Sequence, residues 1–259
     1  MYKYEMHVHA KDVSPCGGMT AEELVDIYVE RGYTGVVLTD HWDESVAAKK
    51  DIINKPIEEW ADFYLNGYYH LKEAAEGKLD IFCGMEVTCQ ENHFLVYNVS
   101  RDFIISLGKK IKTQPLTDII KKAHDHNCLI FQSHPYRRWL TLIPPEMFRR
   151  EWEEPQRNKL DGIEALNYGS GDSYTNDVAL AWSEKYGIRN ISGSDNHNPG
   201  GCPWGGIFLE NKIKTSEELI EILKNGNYAL SCLGEYVWEI GDLHPKQRFT
   251  IDETSKLYY

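Results

Sequence analysis

Short apolar runs alternate with stretches of helical periodicity along most of this chain. Seven apolar runs have the length and residue types of strands, and several are separated by segments whose apolar residues recur every three or four positions. Strands separated by helices are typical of parallel βα units. The predicted strands lie in the segments YEMHVH, GVVLTDH, DIFCGMEVTC, HFLVYNV, LIFQSHP, GIEALN and RNISGSDN.

Local capping signals mark where the predicted helices begin and end. Glu23 follows Thr20 by three residues and Glu218 follows Thr215 by three, which is the spacing of a capping box. Gly32 stands where a helix C-terminal glycine is expected. Five helices are predicted: one that begins at Thr20, and four that cover residues 56–76, 116–126, 175–186 and 216–224.

Polar residues with metal-binding side chains follow nearly every predicted strand. In barrels of βα units the active site lies at the C-terminal ends of the strands, whereas a doubly wound open sheet gathers such residues only near its switch point. The pattern therefore favours an α/β barrel of about seven strands. The residues at these positions are His7, His9, Asp40, His41, Glu86, His134, Asn167, Asp195 and His197.

Two pairs of these residues have a spacing that suits a shared metal ion. Alternate residues of a strand project to one face, so His7 and His9 lie on the same face, with backbones roughly 7 Å apart. Asp195 and His197 repeat the spacing. A single strand histidine is more often a hydrogen-bonded core or surface residue. Two such pairs at strand ends indicate a metalloenzyme.

Composition limits the classes of protein that fit this sequence. The 259 residues suit one domain, 1–259, and the net charge of −12 opposes binding of nucleic acid polymers. No stretch approaches the roughly 18 apolar residues that span a membrane, and the N-terminus lacks an export signal. We therefore expect a cytoplasmic protein whose cysteines are reduced. The cysteines are Cys16, Cys83, Cys89, Cys128, Cys202 and Cys232.

The order of the motifs HVH, TDH, GMEVT, SHPYR and SGSDNH resembles that of the polymerase-and-histidinol-phosphatase (PHP) family, from residue 7 to about residue 210. The resemblance implies a distorted (β/α)7 TIM-like barrel. It also implies two or three divalent metal ions, Zn, Mn or Fe, and hydrolysis of a small phosphate monoester. The implied metal ligands are His7, His9, Glu86 and Asp195 for one ion, Glu86, His93 and His134 for a second, and His41 and His197 for a third.

Cys16 departs from the family pattern in the loop SPCGG, where members use Asp or His to complete the third site. A thiolate suits zinc and suits manganese poorly. Cys16 is equally compatible with a small, partly buried thiol that binds no metal. The number of ions is therefore left at two or three.

The chemistry of a two-metal centre suggests roles for several residues. Two cations about 3.5 to 4 Å apart can activate a shared water and stabilise the attacking and leaving oxygens of a phosphate ester. Glu86 would bridge the ions, and we assign catalytic roles to Glu86 and His197. Arg137 is our candidate phosphate clamp. Asn167 either binds substrate or closes its own turn, and Asp40 is a candidate for orienting a ligand imidazole.

Two other functions remain open at this point. Amidohydrolase-type barrels also begin with HxH, but they commonly use a lysine on a middle strand, where this chain has Glu86. The spacing of Asp195 and His197 also favours the phosphoesterase. The second alternative is a module that binds metal without turnover; metal binding with no catalysis in any substrate screen would support it.

Overall fold

The computed structural model describes residues 1–90, 92–135, 159–169, 173–201, 203–231, 237–240 and 246–248. In these ranges the helices are α1 (Ala21–Glu30), α2 (Glu44–Lys49), α3 (Ile57–Ala75), α4 (Arg101–Leu107), α5 (Leu116–Asp125), α6 (Ser173–Tyr186) and α7 (Ser216–Asn225). The strands are β1 (Tyr2–Val8), β2 (Gly35–Leu38), β3 (His41–Trp42), β4 (Asp80–Cys89), β5 (Asn92–Tyr97), β6 (Leu129–Gln132), β7 (Gly162–Asn167), β8 (Asn190–Gly193), β9 (Ile207–Leu209), β10 (Tyr228–Leu230), β11 (Val237–Ile240) and β12 (Lys246–Arg248).

Seven strands form a nearly closed barrel in the order β1-β2-β4-β5-β6-β7-β8. The pairs β1–β2, β2–β4, β6–β7 and β7–β8 are parallel. Beyond β8 the chain returns to β1, where the Asp195 N–H donates to the His7 carbonyl at 2.8 Å. Val8 and Asn196 form an isolated parallel β-bridge there. The predicted α/β fold with a distorted seven-stranded barrel is confirmed.

Strand β5 is the distortion, because it runs antiparallel to both β4 and β6. The sequence pattern predicts parallel βα units, but only two residues separate β4 from β5. A parallel crossover needs about a dozen residues or more, so this connection can form only a hairpin. As a result the start of β5, rather than its end, lies at the edge of the barrel where the parallel strands finish.

Strands β9 to β12 extend the sheet from β1 in antiparallel pairs. The barrel strands themselves are held by a shared buried cluster. It includes Met6 of β1, Phe82 of β4, Leu95 of β5, Phe131 of β6 and Ile191 of β8. Because these side chains come from strands that also carry candidate site residues, their packing fixes the relative positions of those residues.

The helix predictions hold to within a few residues. Helix α3 begins after Pro56, and α5 after Pro115. At α1 both halves of the capping box form, with the Thr20 side chain accepting from Glu23 N–H. At α7 the box is incomplete, because the Glu218 carboxylate accepts from Lys214 N–H instead. Within the described part of the chain, none of the helices combines the length and apolar character needed to cross a membrane.

The capping box of α1 gives a first testable prediction. Replacing Thr20 with Ala removes the acceptor for Glu23 N–H, and the free energy of unfolding should fall by about 1 kcal/mol. Urea denaturation followed by circular dichroism measures this change. Thr113→Ala, in the exposed turn before α5, is the control and should change stability by less than about 0.5 kcal/mol. Equal effects in both variants would contradict a capping role.

Candidate metal centre

Glu86 is the central residue of a cluster of imidazoles and carboxylates. Its Oε2 lies 2.9 Å from His41 Nδ1, 3.3 Å from His9 Nε2 and 3.4 Å from His7 Nε2. Its other oxygen, Oε1, lies 3.1 Å from the rings of two further histidines. One carboxylate therefore contacts five imidazoles, three through one oxygen and two through the other. The two histidines at Oε1 are His93 and His134.

Sheet pairing explains how these side chains meet. The short strand β3 pairs with β4 so that His41 stands beside Glu86. In the β4–β5 hairpin Leu95 is opposite Glu86, which puts His93 two residues away on the same face. Glu86 itself lies inside β4, three residues before its end. Its predicted position at a strand terminus is therefore wrong, because β4 continues past the barrel edge into the hairpin.

Asp195 completes the cluster from the segment after β8. Its Oδ1 lies 3.4 Å from His7 Nε2, 3.3 Å from His9 Nε2 and 3.6 Å from His197 Nε2. Asp195 has a φ of 48°, so the Asp195–His197 pair does not belong to a regular strand as its spacing suggests. The turn itself brings both side chains to His9. The structure thus gathers all eight predicted metal-binding side chains at one end of the barrel.

The spacing of the donor atoms fits a metal ion. A zinc ion at about 2.1 Å from four tetrahedral ligands holds neighbouring donor atoms about 3.4 Å apart. The Nε2 atoms of His7 and His9 lie 3.1 Å from each other, and each lies 3.3 to 3.4 Å from Glu86 Oε2 and from Asp195 Oδ1. Among the described residues, three groups have all donor atoms within 4.8 Å of one another. They are His7, His9 and Glu86; His41, Glu86 and His93; and His9, His41 and His197.

The electrostatics of the cluster favour cations. Burial opposes ionisation of Glu86, but the positive charges of His41 and His7 outweigh it and hold its pKa well below the usual range. Burial likewise opposes protonation of His41, yet Glu86 and Cys16 raise its pKa to about 10. The buried carboxylates thus attract whichever cation is present. Protons and metal ions compete for the same nitrogens.

Two residues of this site have a positive φ. His134 has a φ of 26° and Asp195 a φ of 48°, in a region that non-glycine residues rarely adopt. Each is held there by a backbone hydrogen bond, His134 N–H to Glu164 Oε2 and Asp195 N–H to the His7 carbonyl, both at 2.8 Å. Strain of this kind persists only where surrounding structure imposes it, and it is common at functional sites.

Three supporting residues were not predicted from the sequence. Glu164 of β7 lies 2.9 Å from His7 Nδ1 and is buried. The Ser14 hydroxyl lies 3.2 Å from His9 Nδ1 and accepts the His41 N–H at 2.8 Å. The Glu5 carboxylate accepts the Ser194 N–H at 2.8 Å, which fixes the chain just before Asp195. A charged residue inside an apolar strand, as in GIEALN, is the signal that could have identified Glu164.

Asp40 supports the site differently from its predicted role. Its Oδ1 accepts the Ala10 N–H at 2.8 Å, which ties the loop after β1 to the end of β2. Burial raises the pKa of Asp40 to about 7. The hydroxyl of Ser14, not the carboxylate of Asp40, is the group placed against a ring nitrogen of His9.

Comparison with known proteins identifies the fold. No family model matches the chain, and no curated protein matches it. A two-domain protein of Bacteroides vulgatus, containing a predicted PHP-like metal-dependent phosphoesterase, superposes with a TM-score of 0.61 at 19% identity. The match covers 91% of this chain and 66% of that one, so this chain spans slightly less than two thirds of its relative's length. This chain shares the fold of that PHP-like protein.

Two further solved structures share the PHP-like fold at lower similarity. A protein of Bifidobacterium adolescentis, assigned as a metal-dependent phosphoesterase, matches with a TM-score of 0.53 at 16% identity, covering 85% of this chain and 95% of that one. An amidohydrolase of Chromobacterium violaceum with bound sulfate matches with a TM-score of 0.51 at 13% identity, covering 85% and 96%. At these identities the similarity concerns the fold alone.

Three further predicted site residues lie outside the set of eight candidate metal ligands. Asn167 ends β7, and its Nδ2 donates to Glu164 Oε2 at 3.0 Å; its role in substrate binding stays a prediction. Cys16 is exposed and hydrogen-bonds to His41, beside the candidate third group. Arg137, the candidate phosphate clamp, lies outside the described residues. The assignment of 1–259 to a single domain also stays a prediction.

Proposed function

We propose that the protein is a metal-dependent hydrolase that cleaves a small phosphate monoester at this cluster. The observation that carries the proposal is the spacing of the donor atoms around Glu86. Their 2.9 to 3.4 Å separations match those of ligands that share a cation about 2.1 Å away. Both carboxylate oxygens of Glu86 face imidazoles, which is the arrangement expected of a bridging ligand.

The residues divide into two main sets and a third, smaller one. His7 and His9 at Glu86 Oε2, together with Asp195, would hold one ion. His93 and His134 at Glu86 Oε1 would hold a second. His41 and His197, with Cys16 nearby, would hold a third, and the thiol favours zinc at that position over manganese. When bound, divalent cations supply Lewis acidity, which activates a water and stabilises charge on the phosphoryl oxygens.

The charge of the donor set favours an anionic substrate. Glu86 and Asp195 are the two carboxylates of the cluster, and its other donors are imidazoles. Glu86, Asp195 and the buried Glu164 behind His7 together carry three negative charges, which is less than the four positive charges of two divalent ions. The remaining positive charge matches a phosphate monoester, although the whole chain carries −12 and repels anions at long range.

The exposure of the rings supports one side of the cluster as the approach for a substrate. The rings of His7 and His9 are fully buried, whereas His41, His93 and His197 are partly exposed. These three rings form the open edge of the cluster. We place the phosphate there and assign His197 a catalytic role at this edge, with Asn167 and Arg137 as candidate phosphate contacts.

An amidohydrolase reaction is the competing function, since an amidohydrolase shares this fold. The charge of the donor set supports the phosphatase reaction, because a cyclic amide is neutral and leaves the excess positive charge unmatched. A phosphate ester is the better complement.

The test is a substrate panel with zinc-loaded or manganese-loaded protein. We expect phosphate release from monoesters such as sugar phosphates, nucleotides and histidinol phosphate, and no ring opening of cyclic amides. His41→Ala should lower phosphate release at least tenfold, by removing the imidazole 2.9 Å from Glu86. His124→Ala, at an exposed histidine that pairs with Asp161, should leave it unchanged. Amide hydrolysis without phosphate release would overturn the proposal.

A further inference from the structure

We propose that Glu164 is a positioning residue that prepares two of the candidate metal ligands, His7 and His134, at once. The inference rests on the metal centre proposed above and adds a residue that lies outside its ligand set. Glu164 projects from β7 and is 1% exposed. Its two oxygens reach two different parts of the site.

The first oxygen determines which nitrogen of His7 is available. Glu164 Oε1 lies 2.9 Å from His7 Nδ1. A carboxylate only accepts hydrogen bonds, so Nδ1 carries the hydrogen. The lone pair is then on Nε2, the nitrogen that lies 3.1 Å from His9 Nε2 and 3.4 Å from both Glu86 and Asp195. Glu164 thereby selects the tautomer of His7 that can bind a cation within the cluster.

The second oxygen holds the backbone of His134. Glu164 Oε2 accepts the His134 N–H at 2.8 Å and the Asn167 amide at 3.0 Å. His134 is the residue with a φ of 26°, and this hydrogen bond fixes the strained turn that aims its ring at Glu86 Oε1, 3.1 Å away. His7 and His134 belong to opposite oxygens of Glu86. A single buried carboxylate therefore couples both halves of the centre.

Gly193, on the neighbouring strand β8, leaves the space that this arrangement needs. A Cβ atom added there would lie 2.3 Å from Glu164 Oε1 and 2.5 Å from His7 Cβ. Both distances are far below van der Waals contact, so any side chain at this position pushes Glu164 and His7 apart. Gly193→Ala thus disturbs the same hydrogen bond as a Glu164 substitution, with no change in charge.

Asp161 offers a matched control at the opposite end of β7. Its carboxylate also accepts a backbone N–H, from Ile130 at 2.8 Å, and also contacts an imidazole, His124, at 3.0 Å. It contacts none of the residues of the candidate centre that the structure describes. Asp161→Asn therefore reports what the loss of such a carboxylate does to the fold alone.

The experiment measures metal affinity and the tautomer of His7 separately. In Glu164→Gln only one oxygen remains, so the amide loses either the hydrogen bond to His7 or those to His134 and Asn167. We expect the Kd for Mn²⁺, measured by electron paramagnetic resonance, to rise about 10-fold to 100-fold. Gly193→Ala should give a rise in the same direction, and Asp161→Asn should leave the Kd unchanged. Long-range ¹H–¹⁵N spectra of zinc-loaded, ¹⁵N-histidine protein should show His7 protonated at Nδ1 alone in the wild type and redistributed in Glu164→Gln.

The outcomes separate this inference from the proposed function. Unchanged Mn²⁺ affinity and an unchanged His7 tautomer in Glu164→Gln would overturn the positioning role. Equal losses of affinity in Glu164→Gln and Asp161→Asn would do the same, since they would reflect general destabilisation. A wild type that binds no metal would overturn the proposed function, and the hydrogen that His7 Nδ1 shares with Glu164, visible in spectra of the metal-free protein, would still decide the role of Glu164.

Discussion

Replacing Glu86 with Gln should reduce phosphate release by roughly a thousandfold, on the scale of losing one preorganised electrostatic group. Five imidazoles contact the two oxygens of Glu86. The amide of Gln keeps the volume but has one oxygen and no charge, so it can serve only one side of the centre. The partners on the other side face an N–H₂ group that repels a cation.

Two measurements check this expectation. Phosphate release is followed on the best substrate from the panel, and metal content is determined by mass spectrometry after extensive dialysis. We expect the variant to lose at least one equivalent of bound metal relative to the wild type. Glu59→Gln, at an exposed position on α3, is the control and should match the wild type in both. A Glu86→Gln variant that keeps its full metal content and activity would rule out a bridging role.

Removing the metal should lower the thermal stability strongly. Ligand that binds only the folded state stabilises it by about 4 kcal/mol when its free concentration is about a thousand times Kd. For a domain of this size that corresponds to about 8 to 16 °C in Tm. The reason lies in the architecture, because the ligands come from the first and last strands of the barrel. Without the cation, the side-chain contacts of Asp195 with His7 and His9 depend on shared protons, and backbone hydrogen bonds provide the other links between β1 and this turn.

Differential scanning calorimetry of dialysed, chelator-treated and metal-restored protein measures this effect. Restoration of Tm by Zn²⁺ or Mn²⁺, together with restoration of phosphate release, is the expected result. Glu86→Gln, treated in the same way, should show a much smaller difference between the two states. A Tm that does not respond to chelation would show that the cluster is stable without metal.

Local signals were sufficient to predict most of the elements. Capping at Thr20 and the prolines before α3 and α5 appear at the positions that the sequence indicates. The direction of β5 is a different case. Its apolar pattern is the same for a parallel or an antiparallel strand, and only the shortness of the β4–β5 connection determines the hairpin.

The candidate ligands could be predicted because imidazoles and carboxylates at strand ends are unusual without a function. Glu164 stands out as a charged residue in an apolar strand, but its role could not be predicted, because that role depends on its distance to His7, 157 positions away in the chain. Ser14 gives no comparable signal, because a serine in a loop is common without a function. The position of Asp195 was interpreted from strand spacing, whereas it adopts a φ of 48°. Such a turn leaves no periodic signal in the sequence.

The closure of the barrel determines when the protein can become functional during its synthesis. The hydrogen bond between Ser194 N–H and Glu5 joins residues 189 positions apart, and β1 and the turn after β8 each contribute ligands. His7 and His9 leave the ribosome before their partners Asp195 and His197, which follow only after most of the barrel has been made. A nascent chain therefore presents an incomplete set of donors for most of its elongation. Metal capture should be a late, post-closure event, and truncated chains that end before β8 should bind no metal tightly.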